Sequence, residues 1–430
     1  SNYKEALKEA KQNVKANPKG KNYAYHRLFL GSVAFESGNY QLAQKSFREA
    51  LKVMELYGEN KTREMLALIG SERGKVYKGD PYEKMLAHFY TGMTYYFVQN
   101  YTKAFAGFTN ALNADKMSPR IRYKKDAVLF FFMAAKAALK LNKESSAIGF
   151  IKEALKACGP LRISKQYLNL EKIKQSNLTL IVAAGRGPKK RRAGSGQSIE
   201  VLVPKEYPES RVEIFLDGKH IGKASKVMNT YFQAKTGGRS KASSIRHAKG
   251  VAHDLAAGMP LIQSKADIRA WTFLPGDFFI FCTKVPKGLH HITLKFFDKG
   301  GLELKEYEQT WYYCPVKDDS LYYFRSGKNK CFKGKPKSHT PPPIQYCCDA
   351  TGHIKKNKPY SLGGKCFCSP NGKLKQSYLD QNIHFDDHSN CNNLCKYGPH
   401  VIHGGKCMVS LTPGTQNYED FIFGNKNKGE

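Results

Sequence analysis

Eight of the eleven cysteines fall in the last hundred residues: Cys331, Cys347, Cys348, Cys366, Cys368, Cys391, Cys395 and Cys407. The 330 residues before them hold only Cys158, Cys282 and Cys314. Thiols crowded into a Gly/Pro/Asn-rich segment mark a disulfide-stapled module. That segment is too poor in apolar residues to fold on burial alone, so covalent staples are expected to hold it. They place the chain outside a reducing cytosol. Four bonds among eight thiols allow 105 connectivities, and the sequence does not choose between them. With an odd total, one thiol at least is unpaired or bonds between chains, and Cys158, Cys282 and Cys314 are the candidates.

Zinc is the competing reading of the tail. His384, His388, Cys391 and Cys395 lie close together, with His400, His403 and Cys407 beyond. Their spacing matches no standard finger, and no Cys-x-x-Cys is present, so disulfides are preferred and no metal or other cofactor is assigned. The tail also echoes itself. YSLGGKCFCSPNG and HVIHGGKCMVSLTPG each place Gly-Gly-Lys-Cys beside a strand-like pair, as two related hairpins would.

Charge sets the next constraint. The net charge is +34, which favours anionic partners such as acidic glycan or anionic lipid headgroups. The densest run is Arg186, Lys189, Lys190, Arg191 and Arg192, the candidate polyanion contact. It lacks P-loop spacing, and no recognised nucleic-acid module accompanies it, so no specific nucleic acid is expected. Lysine as the default surface residue explains the charge about as well, because the lysines run along the whole chain. No apolar run reaches the roughly 20 residues that span a bilayer. The chain opens directly on helix-forming sequence, as expected of a processed N-terminus with an export signal removed and a lipid-bearing residue beside it.

Residues 1–175 are expected to form amphipathic helices. Gly31, Ala34, Tyr40, Ala43, Phe47 and Ala50 recur at identical offsets as Gly92, Tyr95, Tyr101, Ala104, Phe108 and Ala111. Ala135, Ala138, Ala147, Ile151 and Ala154 follow more loosely. The windows are 61 and 43 residues apart. Small residues let two helices approach, and an aromatic ring fills the space between them. This is the pattern of the tetratricopeptide repeat, whose stacked helix pairs offer a face for a partner. His26 and His88 are expected to be packing or surface histidines. The aromatic runs at 89–97 and 129–133 are expected in the core.

Residues 177–203 change character, and from 200 to 325 the apolar period shifts to two. Leu178–Ala184 gives a short apolar strand, followed by a basic Gly/Pro loop. RVEIFLDGKHIGKA alternates across the Asp217-Gly218 turn, a hairpin signal. FFIFCTKVPKGLHHITLKFF predicts a second hairpin around Pro286 to Gly288. Two further strands complete an expected antiparallel β-sandwich. Between the hairpins, residues 241–271 read as a helical excursion, in which His247, His253 and Asp254 lack a paired nucleophile. The expected fold is thus α+β in three parts: a tetratricopeptide-like solenoid over 1–175, a β-sandwich with a helical insertion over 176–325, and a disulfide-stapled tail over 326–430.

Several motifs, in order, resemble a family of bacterial envelope lipoproteins that join tetratricopeptide-like helices to a β-domain. They are GDPYEKMLAHFYTGMTYYF from Gly79, IVAAGRGP from Ile181, IFLDGKHIG from Ile214, KADIRAWTFLP from Lys265 and PKGLHHITL from Pro286. Arg269 and Trp271 stand beside Leu274-Pro275 as in that family, and the hairpins also resemble PEGA-type modules. The resemblance covers residues 1–325. It implies an exported, lipid-anchored protein of the periplasm, outer membrane or cell surface, without known catalysis, associated with cell-wall or surface-polysaccharide machinery. The tail has no counterpart in it.

The function expected is therefore that of a non-enzymatic envelope scaffold that binds protein partners through its repeats. A structural subunit of a filament or sheath, self-associating through strands or cysteines, is the alternative. A glycan-binding or glycan-processing envelope protein is a further alternative, of which processing is disfavoured because no carboxylate pair or nucleophile–base pair stands out. If the tail is oxidised, intact mass should rise on reduction by about eight hydrogens, two per bond. Eight freely alkylated tail thiols without reduction would overturn the disulfide reading.

Overall fold

Small residues facing aromatic ones, spaced for a helix, shape the N-terminal half. In a computed structural model, the residues described are 2–56, 76–115, 126–237, 266–313 and 320–327. Short breaks fall at 17, 19, 162, 194–196, 198 and 287–289, and beyond 327 only short backbone strands are described. The described helices of this half are α1 (Asn2–Ala16), α2 (Tyr23–Glu36), α3 (Tyr40–Leu56), α4 (Pro81–Phe97), α5 (Tyr101–Asp115), α6 (Val128–Lys140) and α7 (Glu144–Leu161). Small sheets follow, so the fold is α+β.

Helices α2/α3, α4/α5 and α6/α7 form hairpins with matching turns. After α2, the Asn39 N–H donates to Ala34 O (2.8 Å) and the Gly38 N–H to Phe35 O (3.1 Å). Asn100 to Tyr95 (2.9 Å) and Gln99 to Tyr96 (3.0 Å) repeat this after α4. Lys143 to Ala138 (2.9 Å) and Asn142 to Leu139 (3.0 Å) repeat it after α6. The central turn residue is left-handed each time, with φ of 81° at Gly38, 58° at Gln99 and 56° at Asn142. This is the αL helix ending, which satisfies the last free carbonyls. Asn39 and Asn100 then accept the N–H of Leu42 and Lys103 (3.1 Å each) and start the next helix.

Within each hairpin the contacts are close. A Cβ placed on Gly31 would lie 2.6 Å from the Phe47 ring, and one on Gly92 would lie 2.7 Å from Phe108. Phe35, Tyr40, Tyr90 and Phe97 continue the aromatic core, with ring centroids 5.0–5.8 Å apart. Leu129–Met133 are all buried, as are Phe89 and Phe97. His88 pairs with Glu55 at 2.9 Å, and burial lowers the His26 pKa.

The chain divides into two compact units. The first comprises Ser1–Leu170, Ala183–Tyr207 and Lys226–Phe278; the second comprises Glu171–Val182, Pro208–Ser225 and Phe279–Glu430. Segments from the middle of the chain cluster with the helices, which composition along the sequence does not reveal.

In the first unit, β2 (Lys189–Ala193) pairs antiparallel with β3 (Ile199–Val203), Arg191 facing Val201. The basic run is thus largely strand and not the expected loop, because the apolar segment after it supplies a partner. Helix α9 (Thr230–Thr236) follows, capped by the Asn229 side chain, which accepts the Phe232 N–H at 2.8 Å. The excursion expected as helical lies outside the described residues up to 265, and 266–271 is not helical.

After the short α8 (Leu170–Gln175), β1 (Leu178–Ala184) runs beside β7 (Asp277–Thr283) and β10 (Ser320–Arg325), strands whose residues fall mostly in the second unit. A four-stranded sheet has the order β5 (Lys219–Lys223), β4 (Arg211–Leu216), β8 (His290–Phe297), β9 (Gln309–Tyr313). The β4–β5 turn has positive φ at Asp217 (50°) and Gly218 (78°), as a tight two-residue hairpin requires. The second expected hairpin does not form: β7 and β8 belong to different sheets. Residues 277–281 of β7 are buried on both faces and suit the wholly buried β1, whereas β8 is only partly buried and pairs with β4. Rings of β9 meet rings of β10, with Trp311 and Phe324 centroids 4.5 Å apart.

Beyond 327, backbone pairing joins β12 (Ile344–Cys348) to β18 (Lys406–Leu411) and β18 to β17 (His400–His403). The tail side chains, including all eight cysteines and the histidines weighed for zinc, lie outside the described residues, as do Cys314, His247, His253 and Asp254. Cys158 is a buried free thiol that burial pushes up to about 11, and the Cys282 thiol lies 3.6 Å from the Thr179 hydroxyl.

The hairpin geometry separates two glycines. A Cβ on Gly107 would lie 2.6 Å from the Gly92 Cα, so backbone must move, whereas Gly149 faces open space. Gly107→Ala should destabilise by about 1–3 kcal/mol through overpacking. Gly149→Ala should stabilise by about 0.5–1 kcal/mol. Urea denaturation of both variants checks the pair, and equal effects would contradict the close approach of α4 and α5.

Candidate functional site: an extended segment held by a buried ion cluster

The start of α4 carries the first half of the site. Pro81 occupies its first turn, and Asp80 precedes it as N-cap. The Asp80 N–H donates to Glu83 Oε2 at 2.7 Å, closing the helix start on itself. Glu83 Oε1 also accepts the Tyr77 hydroxyl (2.7 Å) and the Trp271 backbone N–H (2.5 Å). Glu83 is wholly buried. Burial pushes its carboxyl up, and the Lys190 charge opposes this without cancelling it.

Strand β2 carries the second half. Alternation turns Lys190 and Arg192 to one side and leaves Lys189 and Arg191 exposed. Lys190 Nζ lies 2.6 Å from Asp80 Oδ2 and 3.3 Å from Glu200 Oε1, with side-chain exposures of 6%, 7% and 9%. Glu200 stands opposite Arg192 on β3, hence diagonal to Lys190 on the same face. Burial alone would lower the Lys190 pKa, but Asp80, Glu200 and Glu83 together raise it. A lysine held this firmly as ammonium is no nucleophile, which needs a depressed pKa.

Between these halves and the hairpins lies the extended segment 266–275. Ala266 N–H donates to Gln197 O (2.9 Å), and Gly187 N–H donates to Leu274 O (2.7 Å), so β2 and its flanks hold both ends. Arg269 grips Asp267 through Nε (2.9 Å) and Nη2 (2.5 Å), and reaches Asn22 Oδ1 (2.7 Å) and Lys21 O (3.2 Å) through Nη1. Burial would raise the Asp267 pKa, but the Arg269 bonds and charge hold it below the usual carboxylate range. The Arg269 guanidinium also sits 5.5 Å from the Tyr77 ring centroid. Trp271 is buried, with its Nε1–H donated to Ser32 Oγ (2.8 Å) and its ring 5.7 Å from Phe47 and 5.8 Å from Tyr90. Phe273 meets Phe29 edge-on at 6.1 Å.

Beside Trp271 is a cavity of about 10 Å³ lined by Ser32, Phe35, Glu36, Tyr90, Phe273 and Leu274. That is room for about one water and far too little for a small-molecule ligand. The helices therefore already hold one extended peptide, their own, through a Trp anchor, an Arg clamp and backbone bonds.

Of the five basic candidates, Arg186, Lys189 and Arg191 are exposed. Lys190 is enclosed by acids, and Arg192 Nε donates to Ala266 O at 3.0 Å. They do not form one basic face. The sequence reading singled out Arg269 and Trp271 but not Asp80, Glu83, Glu200, Ser32 or Asn22. The Asp-Pro-x-Glu start of α4 is the one local signal that was available.

No family model matches the chain, and no curated protein matches it. Among solved structures, BtubC (BKLC) from P. vanneervenii aligns over 37% of this chain and 56% of its own length, at 18% identity and a TM-score of 0.26. So low a score supports no conclusion on fold or function.

Lys190→Ala should cost about 3–5 kcal/mol, because it leaves buried carboxylates without their cation. The exposed pair Lys189→Ala/Arg191→Ala should cost less than about 0.5 kcal/mol. The lowered Asp267 pKa adds stability above the unfolded carboxylate pKa, and this is lost as pH falls through the folded value. Arg269→Gln should therefore flatten the acid limb of a stability–pH curve. Thermal melts from pH 3 to 7 check all three; a Lys190→Ala protein as stable as the parent would remove the cluster from the account.

Proposed function

We propose that this chain is a non-enzymatic, exported cell-envelope adaptor whose tetratricopeptide-like hairpins bind a protein partner. The observation that carries the reading is the triple recurrence of one helix-turn-helix geometry at the offsets of the Gly/Ala/Phe pattern. Stacked hairpins of this kind bury a shared core and present a continuous outer face. The capture of residues 266–275 supports it further, since the hairpins handle an extended chain through side-chain anchors. The envelope location rests on the cysteine-rich tail and the motif resemblance, and the β-sandwich and disulfide module belong to the same reading. Among the described residues, no helix is long and apolar enough to cross a membrane. A lipid anchor would then supply the attachment.

The outer face has a chemical character of its own. Lysines stand over partly exposed rings at successive helices: Lys103 over Tyr95 (5.6 Å), Lys140 over Tyr101 (5.9 Å) and Lys143 over Phe105 (5.6 Å). Such a strip of ring faces and ammonium groups suits a partner bearing carboxylates and apolar side chains. Cross-linking in the native envelope, with the full chain and a Tyr95→Ser/Lys103→Glu/Lys143→Glu variant, tests this. The partner recovered with the parent should fall at least tenfold with the variant, at unchanged melting temperature. Equal recovery would take the helical face out of the function.

A further inference from the structure

Asp115 closes α5 and Asp126 precedes α6, and the fold brings their carboxyl groups together in the first unit. Asp115 Oδ2 accepts the Ala127 N–H at 3.2 Å and so caps α6. Asp126 Oδ1 accepts from Gln233 Nε2 of α9 at 2.8 Å. The second oxygen of each acid, Asp115 Oδ1 and Asp126 Oδ2, is buried and has no hydrogen-bond partner. Gln233 Oε1, fixed at the acid pair by the hydrogen bond that the same amide's N–H donates to Asp126, is buried and unpartnered too. One helical turn away on α9, the Thr230 hydroxyl shares that condition. Gln233 is 2% exposed and Thr230 is 0% exposed.

Two adjacent buried carboxylates are costly unless something neutralises them. Burial and the Asp126 charge push Asp115 up to about 7, and burial pushes Asp126 up to about 6. The lysine that performs this service for Asp80 and Glu200 has no equivalent here: neither acid forms an ion pair among the described residues. What the site offers is oxygen alone, from two carboxylates and one amide carbonyl, with a hydroxyl nearby. That donor set suits hard cations and not the softer metals that seek nitrogen or sulfur. We propose that Asp115, Asp126 and the Gln233 carbonyl oxygen bind a hard divalent cation, Ca²⁺ or Mg²⁺, which ties the start of α6 to α9.

The test uses the full chain, stripped with EDTA and melted at pH 8 in CaCl₂ or MgCl₂, with NaCl at matched ionic strength as control. Calcium or magnesium should raise the melting temperature by several degrees and saturate, because the ion binds the folded state alone. Which chloride acts distinguishes the two ions. Asp115→Asn and Asp126→Asn each keep a hydrogen-bond acceptor and should fold, but should lose the shift. The proposal is overturned if neither ion moves the parent, while both variants melt higher than the parent with or without metal. The pair would then hold a proton and not a cation.

Discussion

A single ammonium group organises the first unit. Lys190 lies between the N-cap of α4 and the β2–β3 hairpin, and Asp80 and Glu200 close on it from these two elements. An ion inside a protein repays its desolvation only when geometry and further hydrogen bonds are good. Here they are: Glu83, beside the ion, accepts bonds from Tyr77, Asp80 and Trp271 at once. The cluster thereby fixes three chain segments far apart in sequence, which apolar packing alone would position less specifically. The Trp271 ring then enters between Phe47 and Tyr90 at an angle set by the Glu83 bond to its backbone and the Ser32 bond to its indole.

This dependence bears on what the hairpins can bind. The groove beside Ser32 and Tyr90 is filled by residues 266–275 and is not vacant for a second peptide of that kind. Partner binding is therefore argued for the outer strip of Tyr95, Tyr101 and Phe105. The inner contacts instead make the hairpins rigid. An adaptor gains affinity from such rigidity, since less conformational freedom is lost on docking.

Legibility in the sequence follows the range of the interactions. Gly31, Gly92, Phe47 and Phe108 were visible because a hairpin repeats its contacts at fixed short offsets. The Asp217-Gly218 turn was visible because a tight turn imposes its own residue types. The ion cluster was not, since Asp80, Glu83, Lys190 and Glu200 each look like solvated charges until the chain is folded. The lysine–arginine run misled for the same reason: a strand turns alternate residues to opposite sides, so Lys190 left the group it seemed to belong to. Strands β7 and β8 misled differently. A short Pro-Lys-Gly connection fits a hairpin, but β7 is buried on both faces and pairs with the equally buried β1.

The buried groups also change the meaning of the net charge. Glu36, Asp80, Glu83, Asp115, Asp126, Glu200, Glu209 and Asp277 are buried, whereas Lys136 is the one lysine or arginine buried as a whole residue among those described. Acids are drawn into the interior as caps and ion partners, and the lysines remain outside. The surface of the described residues is therefore more basic than the sum of their own charges conveys. Any attraction to anionic glycan or lipid would then arise from the whole surface and would fall with salt over a Debye length of about 8 Å under physiological conditions. Removing Lys189 and Arg191 alone would take away two charges of many, and leave that field nearly intact.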